Sequence, residues 1–450
     1  MTGFRPDFIW GAAAAAFQIE GASSKDGRGD SVWDMFCREP GAVRDGSDGA
    51  AACDHYHRYP EDIAIMSDLG IKAYRLSVAW PRILPEGRGK LNKKGLDFYD
   101  SVVDGLCEAG IEPWITLFHW DFPTALYDQG GWLNRDSSDW FADYAEIICS
   151  RFSDRVSHWF TLNEPQCFLG LGHHSGEHAP GMRMSFEKVL QASHNALLAH
   201  GKAVQVMRAS AKQPLTIGAA PVGMVSYPTN DDPVLIEAAR RATFDIKDIG
   251  CFSNTWYADP MIKGNYPDDG LELFAQYLPE IKSGDMETIC QPLDMYACNI
   301  YSGGALSLDE KGDPVPEPLV GCGRTTMDWN VTPDCLYWGP RFFFERYGLP
   351  VVVTENGMAN CDWVHVDGQV ADPGRIDYIR RHLLSLRKAA SDGVDVMGYF
   401  YWSIMDNFEW AHGYQQRFGL VHIDYETQIR TPKQSAYWYR DVIASGGDNL

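Results

Sequence analysis

The stretch EDIAIMSDLGIKAYRLSVAW, residues 61–80, contains a complete helix-to-strand unit. Ile63, Met66 and Leu69 recur at helical spacing, and Gly70 stands where such a helix would end. The apolar run 74–80 follows at once, and a continuous apolar run after a helix is typical of a parallel strand that is buried on both faces. This stretch therefore predicts one unit of a sheet in which helices and parallel strands alternate.

The same unit recurs along the chain. A helical face over residues 96–106 ends at Gly110 and precedes the apolar run 114–120, and a helical face over 140–152 precedes the run 158–162. Five further apolar runs have the length of buried strands: 8–12, 215–220, 295–301, 350–354 and 396–402. The chain thus has eight predicted strands separated by helical segments.

Eight such units without a dividing linker predict a closed (β/α)8 barrel, with residues 1–450 forming a single catalytic domain. The excess length lies in the connections 221–294 and 302–345, and in such barrels the loops after the strands build the active site. A doubly wound open sheet is the alternative, but it would need a glycine-rich phosphate loop after the first strand. The sequence contains neither GxGxxG nor a Walker motif.

Composition restricts the class of partner. The formal net charge of −22 repels nucleic-acid backbones and anionic lipid surfaces, so we expect neither as a partner. The 11 cysteines are scattered without a CxxC pair, and no stretch of about 18 apolar residues occurs, so we expect a cytoplasmic protein. A small neutral or cationic substrate fits better. We expect no cofactor and no metal, and a homo-oligomer is possible.

Polar and aromatic residues crowd at the ends of the predicted strands. They are His119, Trp120 and Asp121, then Asn163 and Glu164, then Asn299 and Tyr301, then Glu355 and Asn356, then Trp402, Asp406, Glu409 and Trp410. One face of the barrel would gather all of them. Two glutamates that each follow an apolar run beside an asparagine indicate the carboxyl pair of glycoside hydrolysis, whose separation decides between retention and inversion.

Five motifs carry a family resemblance. They are FIWGAAAAAFQIEGA (8–22), FHWDFP (118–123), TLNEP (161–165), TENG (354–357) and YWSIMDNFEW (401–410). In order and spacing they resemble glycoside hydrolase family 1, the family of β-glucosidases and β-galactosidases, from Phe8 to about Tyr439.

The resemblance implies a retaining, exo-acting β-glycosidase that removes terminal β-D-glucosyl residues, and also β-D-galactosyl or fucosyl residues, through a covalent glycosyl-enzyme intermediate. It makes Glu164 the acid/base and Glu355 the nucleophile, with Arg75 and Tyr301 supporting the nucleophile. The substrate-binding set that it implies is Gln18, His119, Trp120, Asn163, Asn299, Tyr301, Trp329, Trp402, Glu409, Trp410 and Phe418. A β-galactosidase-dominant or a transglycosylating member remains the alternative.

Other interpretations of single residues are weaker. Cys167 lies close to Glu164, but no accompanying histidine and carboxylate indicate thiol chemistry, and a buried thiol is favoured. His173, His174 and His178 stand with Glu177 at spacings that could hold a metal, yet the family has a similar loop without one. The family pattern also changes at Ile300, Met327 and Cys335, which leaves the preference for the leaving group open.

Four other functions compete. A non-catalytic sugar-binding barrel would lack one of the two glutamates, and both are present. A metal-dependent barrel hydrolase would lose activity to a chelator. A phospho-glycosidase would need basic and hydroxyl groups after the eighth strand, where Glu409 and Trp410 instead resemble the non-phosphorylated subgroup. Thioglucosidases of the family lack the acid/base glutamate.

Overall fold

The computed structural model describes residues 3–450, and eight parallel strands form a nearly closed barrel in it. The strands are Ile9–Ala14, Ala73–Ser77, Glu112–Phe118, His158–Asn163, Thr216–Ala220, Tyr296–Asn299, Val351–Asn356 and Val396–Trp402. We number them first to eighth. Each strand pairs in parallel with the next one along the chain, except the fifth with the sixth, and the first pairs with the eighth. The predicted (β/α)8 fold is therefore confirmed.

The fifth and sixth strands meet where the barrel closes. The Asp294 N–H donates to Ile217 O over 3.0 Å, and the Asn299 N–H donates to Pro221 O over the same distance. These few bonds replace a regular ladder. The closure matters for the site because Asn299 ends the sixth strand at this seam.

Helices surround the barrel. The α-helices are Ala16–Ile19, Val32–Cys37, His55–Asp68, Trp80–Ile83, Lys93–Glu108, Thr124–Tyr127, Ser137–Phe152, Pro165–Leu169, Phe186–Ser210, Pro233–Phe244, Thr255–Lys263, Asp268–Leu273, Asp285–Ile289, Cys335–Tyr347, Pro373–Ser391 and Gln434–Ala444. Shorter helical turns are Gly131–Leu133, Gly170–Ser175 and Trp410–His412. No helix in this part of the chain is both long and apolar enough to cross a membrane.

The long connections carry structure of their own. The strand Val225–Pro228 pairs in parallel with Gly303–Leu308, which in turn pairs antiparallel with Pro314–Pro316. This small sheet lies beside the barrel, and four of the helices above fall between residues 229 and 294. A second small sheet pairs Val421–Ile423 with Arg430–Pro432 after the eighth strand.

The barrel interior is packed with aromatic side chains. The ring of Trp114 lies 4.9 Å from that of Phe400, between centroids. A Cβ on Gly11 would come within 2.4 Å of the Phe400 ring, so the first strand needs glycine at this position. This dense interior leaves space for a site only at the carboxyl ends of the strands.

Five predicted strand ends were wrong by two or three residues: the first and seventh strands end two residues later than predicted, and three others end earlier. The run 74–80 is a strand only to Ser77, because Trp80 begins a short helix with Pro81 in its first turn. The run 114–120 starts earlier and ends at Phe118, and Trp120 already lies in a left-handed turn with φ of 80°. The sixth strand likewise stops at Asn299, two residues before Tyr301.

Candidate active site

Glu164 stands at the turn between the fourth strand and a short helix. Its φ is 45°, a left-handed conformation that is uncommon for a residue with a side chain. Pro165 starts the helix, and the Cys167 N–H donates to the Glu164 carbonyl over 2.9 Å. This tight turn holds a buried carboxyl at the end of the barrel, as strained backbone often does at functional sites.

Glu355 lies inside the seventh strand, whose six residues are all buried. The strand's register shifts between Val353 and Glu355 relative to the sixth strand. Such an irregularity changes the direction of a side chain without ending the strand.

Two donors hold the Glu355 carboxyl. Arg75 Nη1 lies 2.5 Å from Glu355 Oε1, and the Tyr301 hydroxyl donates to Glu355 Oε2 over 2.7 Å. Arg75 is itself fixed from the second strand, since its Nη2 donates to Asn163 Oδ1 over 2.6 Å. Burial raises the pKa of Tyr301 well above its usual value, so the phenol keeps its proton and remains a donor. Both interactions favour the charged form of Glu355.

Asn299 connects the two glutamates. Its Nδ2 donates to Glu164 Oε1 over 2.8 Å and to Asn163 Oδ1 over 3.0 Å, and that Asn163 oxygen also accepts from Arg75, the cation that pairs with Glu355. Thr354 fixes the amide by donating from Oγ1 to Asn299 Oδ1 over 2.7 Å. Both carboxyls line the same cavity, and the charge of Glu355 is one cause of the raised pKa of Glu164, so the two groups lie within electrostatic reach of each other.

The electrostatic environments of the two carboxyls differ. Burial and the charge of Glu355 raise the pKa of Glu164 to about 7. Burial also raises the pKa of Glu355, but Arg75 and Tyr301 oppose that rise. When the pair holds one proton, the proton therefore resides on Glu164 and the charge on Glu355. A protonated acid beside an anion is the arrangement that general-acid and nucleophilic chemistry requires.

A cavity of about 330 Å³ opens above this pair. Of the predicted residues, it is lined by His119, Trp120, Glu164, Tyr301, Trp329, Glu355, Trp402, Glu409, Trp410 and Phe418. Its volume is at the lower end for small-molecule sites, and aromatic walls with few polar groups suit one sugar ring.

Four predicted residues lie behind the cavity wall. Arg75, Asn163 and Asn299 are buried and hydrogen-bonded to one another or to the glutamates. Gln18 Nε2 donates to Glu409 Oε2 over 3.3 Å, while its Oε1 has no hydrogen-bond partner within residues 3–450. These side chains support the cavity's polar groups from outside its lining.

Glu409 contributes a third buried carboxyl to the cavity wall. Burial, with the charges of Glu355 and Glu164, raises the pKa of Glu409 to about 8. Trp410 has a φ of 51° and packs on Trp120 with ring centroids 4.6 Å apart. His119 lies against Trp402, and burial with the Arg75 charge lowers the pKa of His119 well below its usual value. The imidazole is therefore neutral at physiological pH.

The sequence analysis missed part of the lining. Leu171, Val222, Phe252 and His412 complete the cavity, as do Cys167, Glu177, His178 and Met327, which were considered only in other roles. Val222 lies two residues after the end of the fifth strand, so its position after an apolar run could have indicated it. Phe252 lies in an irregular segment of the long connection, where the sequence offers no such signal.

Two other roles were considered for residues near the site: metal binding by His173, His174 and His178, and thiol chemistry at Cys167. His173 Nδ1 bonds to Phe168 O over 2.7 Å, and His174 Nδ1 bonds to Met184 O over 3.2 Å, so these rings turn away from a common centre. Within residues 3–450, no three histidine, cysteine or carboxylate side chains converge on a metal position. Burial raises the pKa of Cys167 well above its usual value, which keeps it a neutral thiol.

Comparison with known proteins identifies the family. The model of glycosyl hydrolase family 1 matches residues 1–448. The chain belongs to glycosyl hydrolase family 1. Among family members, β-glucosidase A of Acetivibrio thermocellus is 44% identical over 451 residues, with 99% of both chains covered. β-Glucosidase A of Thermotoga maritima is 43% identical over 451 residues, covering 99% of this chain and 98% of that protein.

A solved structure extends this family relationship to the fold. The Thermotoga maritima β-glucosidase in complex with glucoimidazole has a TM-score of 0.90 to this chain at 43% identity. The match covers 99% of this chain and 100% of that one. The family 1 assignment makes the chain a glycoside hydrolase, as the resemblance of its motifs implied.

Proposed function

We propose that the chain is a retaining, exo-acting β-glucosidase that uses Glu164 as acid/base and Glu355 as nucleophile. The observation that carries the proposal is the pair of buried carboxyls that line one cavity in opposite environments, Glu164 beside the Asn299 amide and Glu355 held by Arg75 and Tyr301. The proposal requires the two carboxyls to lie about 5 Å apart, because inverting enzymes need roughly 6.5 to 9.5 Å to admit a water molecule.

The reaction then has two steps. Glu164 donates its proton to the leaving oxygen while the Glu355 carboxylate attacks the anomeric carbon, forming a glycosyl ester. Glu164, now ionised, removes a proton from water, which hydrolyses the ester and restores both groups. Arg75 and Tyr301 stabilise Glu355 as an anion before attack and after release.

The sugar specificity follows from the cavity wall. Glu409 and His119 offer hydrogen bonds to hydroxyl groups, Gln18 holds Glu409 from behind the wall, and Trp402 offers an apolar face to the ring. The relatives named β-glucosidases support glucose as the principal sugar. We propose that β-D-galactosides and fucosides are cleaved as well. All eleven cysteines are free thiols, which supports a reducing, cytoplasmic setting.

The test combines a substrate panel with stereochemistry. Aryl β-glucoside, β-galactoside and β-fucoside are compared by kcat/KM, and proton NMR follows the first anomer released. We expect the glucoside to be cleaved efficiently and the β-anomer to appear first. With Glu355→Ala, added azide should yield the α-glycosyl azide. Initial release of the α-anomer by the wild type, or a β-azide from the variant, would contradict the assignment.

A further inference from the structure

Tyr301 is held at the site although the strand before it has already ended. The sixth strand stops at Asn299, so residues 300 and 301 leave the regular ladder of the barrel. The Tyr301 hydroxyl nevertheless lies 2.7 Å from Glu355 Oε2, to which it donates. A donor on an irregular segment keeps such a position only when other bonds fix its backbone.

Three hydrogen bonds fix the backbone of residues 300 and 301. The Ile300 N–H donates to Glu355 O over 2.9 Å, and Asn356 Nδ2 donates to Ile300 O over 2.8 Å. The third bond comes from Tyr378, whose hydroxyl donates to Tyr301 O over 2.9 Å. Together they attach both residues to the seventh strand and to the outer helix that carries Tyr378.

The direction of the Tyr378 hydroxyl is also fixed. Asn356 Nδ2 donates to the Tyr378 oxygen over 3.1 Å, and the Tyr399 hydroxyl in turn donates to Asn356 Oδ1 over 2.9 Å. The Tyr378 proton is therefore free to point at Tyr301 O. Asn356, Tyr378 and Tyr399 form a backbone clamp: all three are buried, and all three lie outside the lining of the catalytic cavity.

Three titratable groups near Tyr378 are uncharged. They are Cys335, Tyr401 and His382. Burial raises the pKa of Cys335 and of Tyr401, and it lowers the pKa of His382 to about 4, so all three are neutral near pH 7. Burial also raises the pKa of Tyr378 well above its usual value, so the phenol keeps the proton that it donates. The clamp therefore acts through geometry and not through charge.

We propose that Tyr378 is a positioning residue for the nucleophile, whose hydroxyl fixes the backbone of Tyr301 and so keeps the Tyr301 phenol on Glu355. The inference rests on the proposed role of Glu355 and extends it to a side chain that lies outside the cavity. Without the Tyr378 hydroxyl, Tyr301 O loses this hydrogen bond and residue 301 can shift away from the carboxylate.

The effect should appear in the titration of Glu355. Besides Tyr301, the charged or titratable groups that face Glu355 are Arg75, Glu164 and Glu409. Within the described chain the Tyr378 hydroxyl bonds to none of these three side chains. Because a weakened donor disfavours the charged form of a carboxyl, loss of the Tyr378 hydroxyl should raise the pKa of Glu355 through Tyr301.

The test measures kcat/KM of an aryl β-glucoside against pH for Tyr378→Phe, Tyr301→Phe and the double variant. Each substitution removes a hydroxyl and keeps the ring. Tyr439→Phe is the matched control, since Tyr439 is buried and its hydroxyl also donates to a backbone oxygen, that of Gly11 in the first strand, over 3.0 Å. Thermal melting verifies that the variants are folded.

We expect Tyr378→Phe to lower kcat/KM by roughly threefold to tenfold, the value of a neutral hydrogen bond, and to move the acidic limb to higher pH. Tyr301→Phe should do both more strongly. In the Tyr301→Phe background, Tyr378→Phe should cause no further shift, because the phenol that it positions is already gone. Tyr439→Phe should keep the wild-type profile even if it melts at a lower temperature.

Four outcomes would count against the proposal. A wild-type acidic limb in Tyr378→Phe beside a shifted limb in Tyr301→Phe would overturn this inference alone. So would losses that multiply in the double variant, or an equal shift in Tyr439→Phe. A wild-type profile in Tyr301→Phe would refute the role proposed for Tyr301 and this inference with it. If Tyr378→Phe does not fold, Tyr399→Phe tests the same clamp through Asn356, and an unshifted limb there would overturn the inference.

Discussion

Arg75 and Glu355 form a buried ion pair across the barrel, 2.5 Å apart, with side chains only 1% and 4% exposed. The pair joins the second strand to the seventh, and the Tyr301 hydroxyl completes the carboxylate's hydrogen bonds. A charge in such a place is stable only because its partner is fixed. This relationship accounts for an anionic Glu355 beside a protonated Glu164.

Removal of Arg75 should shift the acidic limb of the pH profile of kcat/KM to higher pH. Arg75→Met leaves Glu355 buried without its cation, so the pKa of Glu355 rises and activity is lost at a higher pH than in the wild type. We expect kcat/KM at the optimum to fall by roughly tenfold to a hundredfold, the value of a charge-assisted hydrogen bond. Arg75→Lys should shift the profile less. An unchanged acidic limb in Arg75→Met would contradict the role given to this arginine.

The fall of kcat/KM at high pH should be caused by deprotonation of Glu164. Since its pKa is raised to about 7, the proton needed by the leaving group is lost as the pH rises through about 7, and kcat/KM should fall there. Glu164→Gln should abolish that limb and cost roughly 10²- to 10⁴-fold on alkyl glucosides. Dinitrophenyl glucosides, which need no proton, should lose least. Equal losses on both leaving groups in the first step would show that another group is the acid.

Glu409 should select for an unphosphorylated sugar. A pKa of about 8 leaves Glu409 mostly protonated at neutral pH, and a neutral hydrogen bond to a sugar hydroxyl is worth about 0.5 to 1.5 kcal/mol, so Glu409→Ala should lower kcat/KM on glucosides by roughly twofold to tenfold. Aryl glucoside, galactoside and 6-phosphoglucoside are compared on wild type and variant. If Glu409 only stabilises its loop, the variant should lose thermal stability with the same loss on every sugar. Efficient cleavage of the phosphorylated sugar by the wild type would also refute the role.

The loop that carries Glu409 depends on a buried lysine. Lys433 Nζ lies 2.7 Å from Asp362 and 2.7 Å from Asp406, and both carboxylates are buried. Lys433→Met removes one cationic partner from each of these two buried aspartates. We therefore expect the free energy of unfolding to fall by about 3 kcal/mol in urea titrations. Lys94→Met, which breaks only the exposed pair with Asp26, should cost less than about 1 kcal/mol. Equal effects of the two variants would contradict this account.

The sequence predicted the barrel because its strands are apolar on both faces, so each appears as a continuous run. It predicted strand ends less well, because Trp80 and Trp120 are as apolar as the strands that precede them, yet lie in a helix and a turn. The motifs indicated most of the cavity wall. The sequence did not indicate Phe252 or His412, since their position depends on how long loops fold back over the barrel. Nor could it give the bond from Asn299 to Glu164, which joins residues 135 positions apart.

The most direct test of the central claim is to trap the glycosyl ester. A dinitrophenyl β-glucoside with fluorine at C2 slows both steps through its electron-poor ring, but the good leaving group keeps the first step faster, so the ester accumulates. Intact mass and peptide mass spectrometry then locate the sugar. The account predicts one sugar per chain, on the peptide that contains Glu355, with a stoichiometric burst of dinitrophenolate. A sugar on the Glu164 peptide, or steady turnover without any adduct, would contradict it.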